Sequence, residues 1–491
     1  MFFDWERMKL CVILIYKIKF GYLHRKRTPK KMKNLTEQEK LGSASIPRLI
    51  AGYATPAIIA MASSSIFNIV DSVFIGHGVG AMALSALAVA MPLMNILSAF
   101  GAMVGIGSAA MVSIRMGQGR KEEAFKTLGN LVFMNICIGL LLSAVGLIFL
   151  DDILLIFGAS EATLPYAHDF MKVILTGNVV THLYLGLNEV LRASGYPMRS
   201  MSVMLTAVVV NVCLNPLFIF VFKWGVTGSA TATVLAQVTA LAVEMFHYCN
   251  SKNYLHFRRD IFRPRGYIVR DVLSIGAAPL MMNLCTCIVV IFINKALLTY
   301  GGDIFVGAYG IVNRIVMLFI MMIGGLNQGM QPIVGYNYGA RRYDRVQRAL
   351  WTTVGCAVAL MTVASLMSQL IPDRIAGLFV GEGDPDGAQL VEISAHAMRT
   401  VMLIFPIVGF QIVASNFFQY IKRAKRAIIL STTRQLVFLV PLLIILPPHY
   451  GTDGVWISMP IADGMASILA AVLLFFEIRR LRRLDPHRGD N

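Results

Sequence analysis

Residues 56–71 read PAIIAMASSSIFNIVD, and residues 279–294 read PLMMNLCTCIVVIFIN. Each is an apolar run with a proline fifteen residues ahead of a polar residue, Asp71 in one and Asn294 in the other, at an offset of 223. Three further matches come in the same order. MGQGRKEEAF at 116–125 pairs with YGARRYDRVQ at 338–347 (offset 222), WGVTG at 224–228 with YGTDG at 450–454 (226), and Asn188 with Asn416 (228). Each match alone is weak. Four in one order, with a slow drift in offset, mark a duplicated chain.

What is duplicated follows from composition. Of 491 residues, 56% are hydrophobic and 14% charged, whereas soluble domains spend about 25% on charge. A soluble enzyme, a disordered chain and a disulfide scaffold are excluded. Apolar stretches recur at 47–75, 84–113, 125–150, 163–191, 200–222, 226–249, 271–299, 305–337, 350–371, 389–421, 427–447 and 452–477. Each suffices for a membrane helix of about 20 residues. The short alternating strands of an outer-membrane barrel do not occur. The expected fold is an all-α polytopic membrane protein with twelve spans, six in each half. Because six is even, both halves enter the membrane in the same sense, as in transporters whose two lobes face each other across a midplane cleft. The domain reading is a basic extension at 1–45, an N-terminal lobe at 46–250, a linker at 251–270, a C-terminal lobe at 271–478 and a basic tail at 479–491.

The net charge of +17 would suggest nucleic acid in a soluble protein. Here it reports loop placement, because cytoplasmic loops retain Lys and Arg, and no nucleic-acid partner is expected. Arg115, Arg120, Lys121 and Lys126 follow span two; Lys252, Arg258, Arg259, Arg263, Arg265 and Arg270 fill the linker. Arg341, Arg342, Arg345 and Arg348 follow span eight, and Lys422, Arg423, Lys425 and Arg426 follow span ten. The opposite loops hold Asp151, Asp152, Glu161, Asp303, Asp373, Glu382, Asp384 and Asp386, with Lys223 and Arg374 as their clear basic residues. Both termini are therefore expected in the cytoplasm. Ten of the first 33 residues are Lys or Arg, around a short apolar run from Leu10 to Tyr16. Two readings stay open: a helix on the membrane surface, or a non-native extension ahead of Met32, where MKNLTEQEK begins. The seven cysteines show no CxxC spacing, so neither a zinc site nor a disulfide framework is indicated. No GxxxxGK[ST] pattern points to ATP, and no HExxH or Ser–His–Asp pattern points to an enzyme.

NIVDSVFIGHGVG at 68–80, GYNYGARRYDRV at 335–346 and LNPLFIFVFKWGVTGSATATVLAQ at 214–237 resemble the multidrug and toxic compound extrusion (MATE) family, on its prokaryotic DinF-like and MepA-like branch. The resemblance covers about residues 45 to 480. It implies a V-shaped bundle of twelve helices in the bacterial inner membrane. It also implies a monomer among membrane lipids that needs no cofactor and exports cationic, amphipathic drugs against inflowing protons or sodium.

Asp71 is the leading candidate for ion coupling. A carboxyl inside a membrane helix is costly and by default functional, and burial disfavours its bare charge unless it holds a proton or a cation. The C-terminal counterpart is Asn294, which cannot titrate, so coupling is expected in the N-terminal lobe. Asn211 and Asn215 stand four residues apart on one helix face. The resemblance pairs them with Thr233 and Asn188 as oxygen donors around Asp71, a set that would also hold sodium. Relatives with a characterised ion site carry an acid where this chain has Asn215, which weighs toward protons. The alternative is that these asparagines bridge helices. Pro56 should kink the first span, as a moving or a static bend. Glu189 and Arg192 could pair as a structural or gating contact. Arg434 should face the cleft or a partner rather than lipid; Asn416 belongs to the same lobe. Met281, Met282, Met317, Met321 and Met322 read either as an adaptable pocket or as ordinary filler. The rival function is a lipid-linked sugar flippase of the same superfamily, which should carry several cleft arginines. A membrane-embedded enzyme or receptor is the third and poorest fit.

Overall fold

The computed structural model describes residues 37–380 and 387–484. The basic stretch at 1–33 with Met32, the acids Glu382, Asp384 and Asp386, and the tail from 485 lie outside the described residues. A chain this apolar must satisfy its backbone polar groups internally, which favours helices throughout. Every regular element among the described residues is indeed helical.

The short α1 (Glu37–Ser43) leads into α2 (Ile46–Gly78), α3 (Ala81–Gly117) and α4 (Lys121–Ile148). After α5 (Leu150–Ile156) come α6 (Leu164–Thr176) and α7 (Asn178–Ala193), then α8 (Pro197–Pro216), which runs on as a wider turn over Leu217–Val221, and α9 (Gly225–Cys249). The second lobe holds α10 (Gly266–Gly301), α11 (Asp303–Gly339), α12 (Tyr343–Leu370), α13 (Pro372–Gly377), α14 (Gly387–Val401) and α15 (Phe405–Tyr420). It ends with α16 (Ala424–Thr432), a second wide turn at Thr433–Leu439, α17 (Val440–Ile445) and α18 (Pro447–Arg483).

Among the described residues, ten helical segments are long and apolar enough to cross a membrane, and the pairs α6–α7 and α14–α15, bent by 55° and 58°, bring the number to twelve when each pair is taken as one span. These bends fall within the apolar stretches 163–191 and 389–421. The first breaks at Gly177, where any Cβ would stand 2.6 Å from Val234 of α9. The second breaks ahead of Pro406, near the N-terminus of α15, where proline has no N–H to give and its ring clashes with a continuing helix.

The duplication is written in the backbone as well. Positive φ angles recur in matched pairs: Gly80 (115°) with Gly302 (78°), Gly119 (73°) with Arg341 (58°), Gly195 (99°) with Lys422 (62°), and Gly225 (60°) with Gly451 (58°). Glycine is the residue that reaches this region without strain. Arg341 and Lys422 hold it as non-glycine residues in the second lobe, where the first has Gly119 and Gly195.

The two lobes meet where α2 and α3 run along α10 and α11. Gly117 faces the carbonyl of Tyr336, and Gly339 faces the carbonyl of Ile114. These two contacts exchange under the duplication, so the seam contains its own mirror image. Gly107 against Val272 and Gly276 against Met103 extend the same close approach between α3 and α10. Small residues let helix backbones touch where no hydrophobic force operates in lipid. Beside this seam, Tyr267 donates to Glu123 at 2.8 Å, joining α10 to α4. In the linker, Arg258 bonds Glu122 at 2.9 Å and Asp260 at 2.8 Å, and its hydrogen bonds hold the exposed Asp260 carboxyl below the ordinary aspartate range. All these approaches fall in the halves nearer the basic loops, so the lobes are in close contact there.

A methyl group or more at this seam cannot be accommodated without separating α3 from α11. Gly117→Val should lower stability by about 1–3 kcal/mol, read as a reduced melting temperature of the purified protein. Gly52→Val, at a position with open space around its Cβ, should change it far less.

Candidate functional site

Asp71 is the twenty-sixth residue of α2, about 38 Å along the helix at 1.5 Å per residue. It is 9% exposed. A buried carboxylate needs donors, and the neighbouring helices supply them. Its Oδ1 accepts hydrogen bonds from Asn215 Nδ2 of α8 at 2.5 Å and from Ser229 Oγ of α9 at 2.7 Å. Asn215 Nδ2 also reaches Asn211 Oδ1 at 2.9 Å, the i, i+4 geometry expected on one face of α8. Asn211 in turn donates to Thr233 Oγ1 of α9 at 3.0 Å. The chain Asp71–Asn215–Asn211–Thr233, with Ser229 beside it, ties α2, α8 and α9 into one polar network within the first lobe.

Within the network, Asn215 Oδ1 is buried with no hydrogen-bond partner among the described residues. An unsatisfied buried oxygen beside a carboxylate suits a small cation or a proton-bearing group. Among the described residues no group of three His, Cys, Asp or Glu side chains is placed to hold a metal ion, so the site offers one carboxylate and neutral oxygens. That fits a monovalent ion and lacks the acidic cage that a divalent ion prefers.

Asn188 lies apart from this cluster. It donates to Glu244 Oε1 at 3.1 Å and to the Ser200 carbonyl at 3.2 Å, and it accepts from Ser200 Oγ at 2.7 Å. Glu189 and Arg192 do pair, with Gly105 of α3 packed on Glu189. Pro56 lies inside an unbroken α2; Ala54 and Ile58 on either side of it pack on Gly329 and Gly325 of α11, so the proline stands at the seam between lobes.

In the second lobe, Asn294 Oδ1 is buried without a partner. Asn416 bonds the Ile412 carbonyl at 2.9 Å. Arg434 is not alone: its Nε donates to Asp463 of α18 at 2.5 Å. Both Asn416 and Arg434 line a pocket with Met282, Gln411, Gln419 and Gln435. Of the other methionines, Met321 accepts a contact from Ser65 Oγ across the seam at 2.6 Å.

Several residues escaped the sequence reading. Ser229 sits in SATAT, four residues before Thr233 on the same helix face, and that spacing was the available signal. Glu244 and Asp463 are intramembrane acids in their own right. Lys295 and Arg314 are exposed side chains on α10 and α11, and neither has an ion-pair partner among the described residues.

The MatE family profile matches residues 56–217 and 277–445. The chain is similar to the multidrug export protein MepA of Staphylococcus haemolyticus (strain JCSC1435), 24% identical over 89% of this chain and 95% of that protein. It is likewise similar to MepA of Staphylococcus aureus (strain MSSA476), 26% identical over 88% and 94%. Among solved structures it resembles an outward-facing multidrug resistance MATE family transporter of the MOP superfamily, with a TM-score of 0.85, 24% identity, and coverage of 91% of this chain and 99% of that one.

The Arg434–Asp463 pair yields a direct prediction. Asp463→Asn strands a partly buried guanidinium and should cost roughly 2 kcal/mol, below the about 3–5 kcal/mol of a fully buried pair. Thermal unfolding of the purified protein measures it, and the double variant Asp463→Asn, Arg434→Gln should recover most of the loss.

Proposed function

The chain belongs to the MatE family, and from that premise we propose a secondary multidrug exporter that expels cationic, amphipathic compounds in exchange for inward-moving protons or sodium, coupled at Asp71. The observation that carries the reading is the buried Asp71 carboxyl with donors from two neighbouring helices and no cation paired to it among the described residues. Family members are transporters, so no catalytic residue or cofactor is assigned. We place the protein in the bacterial inner membrane as a monomer among lipids, with the basic loops and both termini in the cytoplasm.

The coupling step follows from the hydrogen bonds. Ionised, Asp71 accepts charge-assisted bonds that are stronger than neutral ones, and it fastens α2 to α8 and α9. Neutralised by a proton, it loses that grip, and α2 can repack along its seam around Pro56. Drug and ion need only favour different packings of the first lobe for each to drive the other. Sodium would be held by Asp71, Asn211, Asn215 and Thr233, and supplies charge neutralisation as a proton does. The single carboxylate and the amide N–H turned toward it favour the proton. Asn188 is not assigned to this set, because its bonds go to Glu244 and Ser200.

Lys295 and Arg314 favour the second reading, an anionic lipid-linked sugar as cargo. Against it, Arg434 is neutralised by Asp463. Transport of ethidium and of an anionic dye, measured side by side, separates the two readings.

In proteoliposomes with proton and sodium gradients imposed separately, Asp71→Asn should lower gradient-driven ethidium transport roughly tenfold or more, within the usual range of coupling free energies. Ethidium binding should persist but weaken, because Asn mimics the neutralised carboxyl that favours the other packing. Undiminished transport in this variant removes Asp71 from the mechanism.

A further inference from the structure

Glu244 is fully buried, at 0% exposure. Its Oε1 accepts one hydrogen bond, from Asn188 Nδ2 at 3.1 Å, and its Oε2 has no partner. No Lys or Arg among the described residues forms an ion pair with it. An ionised carboxylate in such a place would leave a bare charge in a low-dielectric interior, the costliest of buried groups. A carboxylic acid leaves only one hydroxyl unsatisfied, a far smaller penalty.

The position of Glu244 separates it from Asp71. On α9, Ser229, Thr233, Gln237 and Glu244 fall within roughly 80° of helix arc at 100° per residue. Each has a partner on a neighbouring helix: Ser229 with Asp71, Thr233 with Asn211, Gln237 with Thr181 at 2.5 Å, and Glu244 with Asn188. This polar stripe runs from the Asp71 network toward the end of α9 that bears the basic linker. Between Ser229 and Glu244 it spans about 22 Å, so the two acids occupy different sites.

One turn beyond Glu244 is His247. Its Nδ1 faces Arg199 Nη1 of α8 at 2.6 Å. An arginine can only donate, so this contact makes Nδ1 the acceptor and puts the ring proton on Nε2, which is buried without a partner. Glu244 Oε2 and His247 Nε2 are thus two orphaned polar atoms at i and i+3 on one helix face. Arg199 is exposed. The other titratable groups near Glu244 are Tyr184 of α7 and Tyr248 of α9 itself. Tyr248 is spent on the Leu187 carbonyl at 2.9 Å.

We propose that Glu244 is a second proton-binding site, distinct from Asp71, which holds its proton in this packing of the lobes and exchanges it with the basic-loop side through His247. Asp71 of α2, bonded to Ser229 near one end of α9, and Glu244 near the other end of α9 would then give the first lobe two separate protonatable carboxyls. The assignment goes beyond the coupling role of Asp71 and does not depend on it.

Infrared difference spectroscopy of the purified full-length protein in lipid tests this. At neutral pH, well above the value of about 4.3 where an exposed glutamate titrates, the wild type should show a carbonyl-stretch band of a protonated carboxylic acid. Glu244→Gln, which keeps the acceptor for Asn188, should lose that band; Asp71→Asn should keep it. Asn188→Leu leaves the carboxyl in place without its one donor and should move the band to higher frequency, which guards against a misfolded Glu244 variant. His247→Gln should keep the band and slow its shift on transfer to heavy water. A band that survives Glu244→Gln, or that vanishes in Asp71→Asn, overturns the second site and leaves the Asp71 reading standing. An unchanged exchange rate in His247→Gln overturns the exit route.

Discussion

Two hydrogen bonds to one oxygen, from Asn215 and Ser229 to Asp71, fasten the first span to the fifth and sixth with no countercharge paired to it among the described residues. In water such bonds would be worth little. In an apolar interior they are the difference between a tolerable and an intolerable carboxylate. The coupling proposed at Asp71 depends on that condition: the same burial that makes the bonds strong makes a proton or a monovalent ion an effective competitor for the oxygen. The second lobe has the same helix and the same proline, but Asn294 in the corresponding place, and its polar interior is organised around the Arg434–Asp463 pair instead. One lobe can change charge at this position and the other cannot.

The seam between lobes explains why a local charge change could matter at a distance. Backbones approach so closely at Gly117, Gly339, Gly107 and Gly276 that side chains are excluded from the contact. Such a seam has few intermediate arrangements, because packed interfaces switch between discrete packings. Pro56 lies in the same helix as Asp71 and beside this seam, close to the opposite lobe.

Much of this was legible in the residues. The offsets of 222 to 228 reappear in the structure as matched positive φ angles, and the twelve spans fall where hydropathy put them. Asp71 and the two asparagines one turn apart stand out in apolar helices, whereas Thr233 joins them only through the family resemblance. The bends at Gly177 and ahead of Pro406 were not legible, because hydropathy reports that a segment is apolar and says nothing about its direction. The resemblance alone groups Asn188 with Asp71, with helix bridging as its alternative, and residue order along a helix does not say which neighbour a side chain will face. In the structure it bonds Ser200 and Glu244, the latter 56 residues away on another helix. Ser229 and Asp463 likewise gain their meaning only from a partner across a helix interface.

The central claim is that ion and drug compete through the charge on Asp71. Titrating ethidium into purified protein in weakly buffered solution, with proton release and sodium release followed together, tests it most directly. The account predicts that drug binding displaces an ion from the wild type and that Asp71→Asn binds the drug with that release lost. Equal release from both proteins, or drug binding to the wild type with no ion displaced, would contradict it.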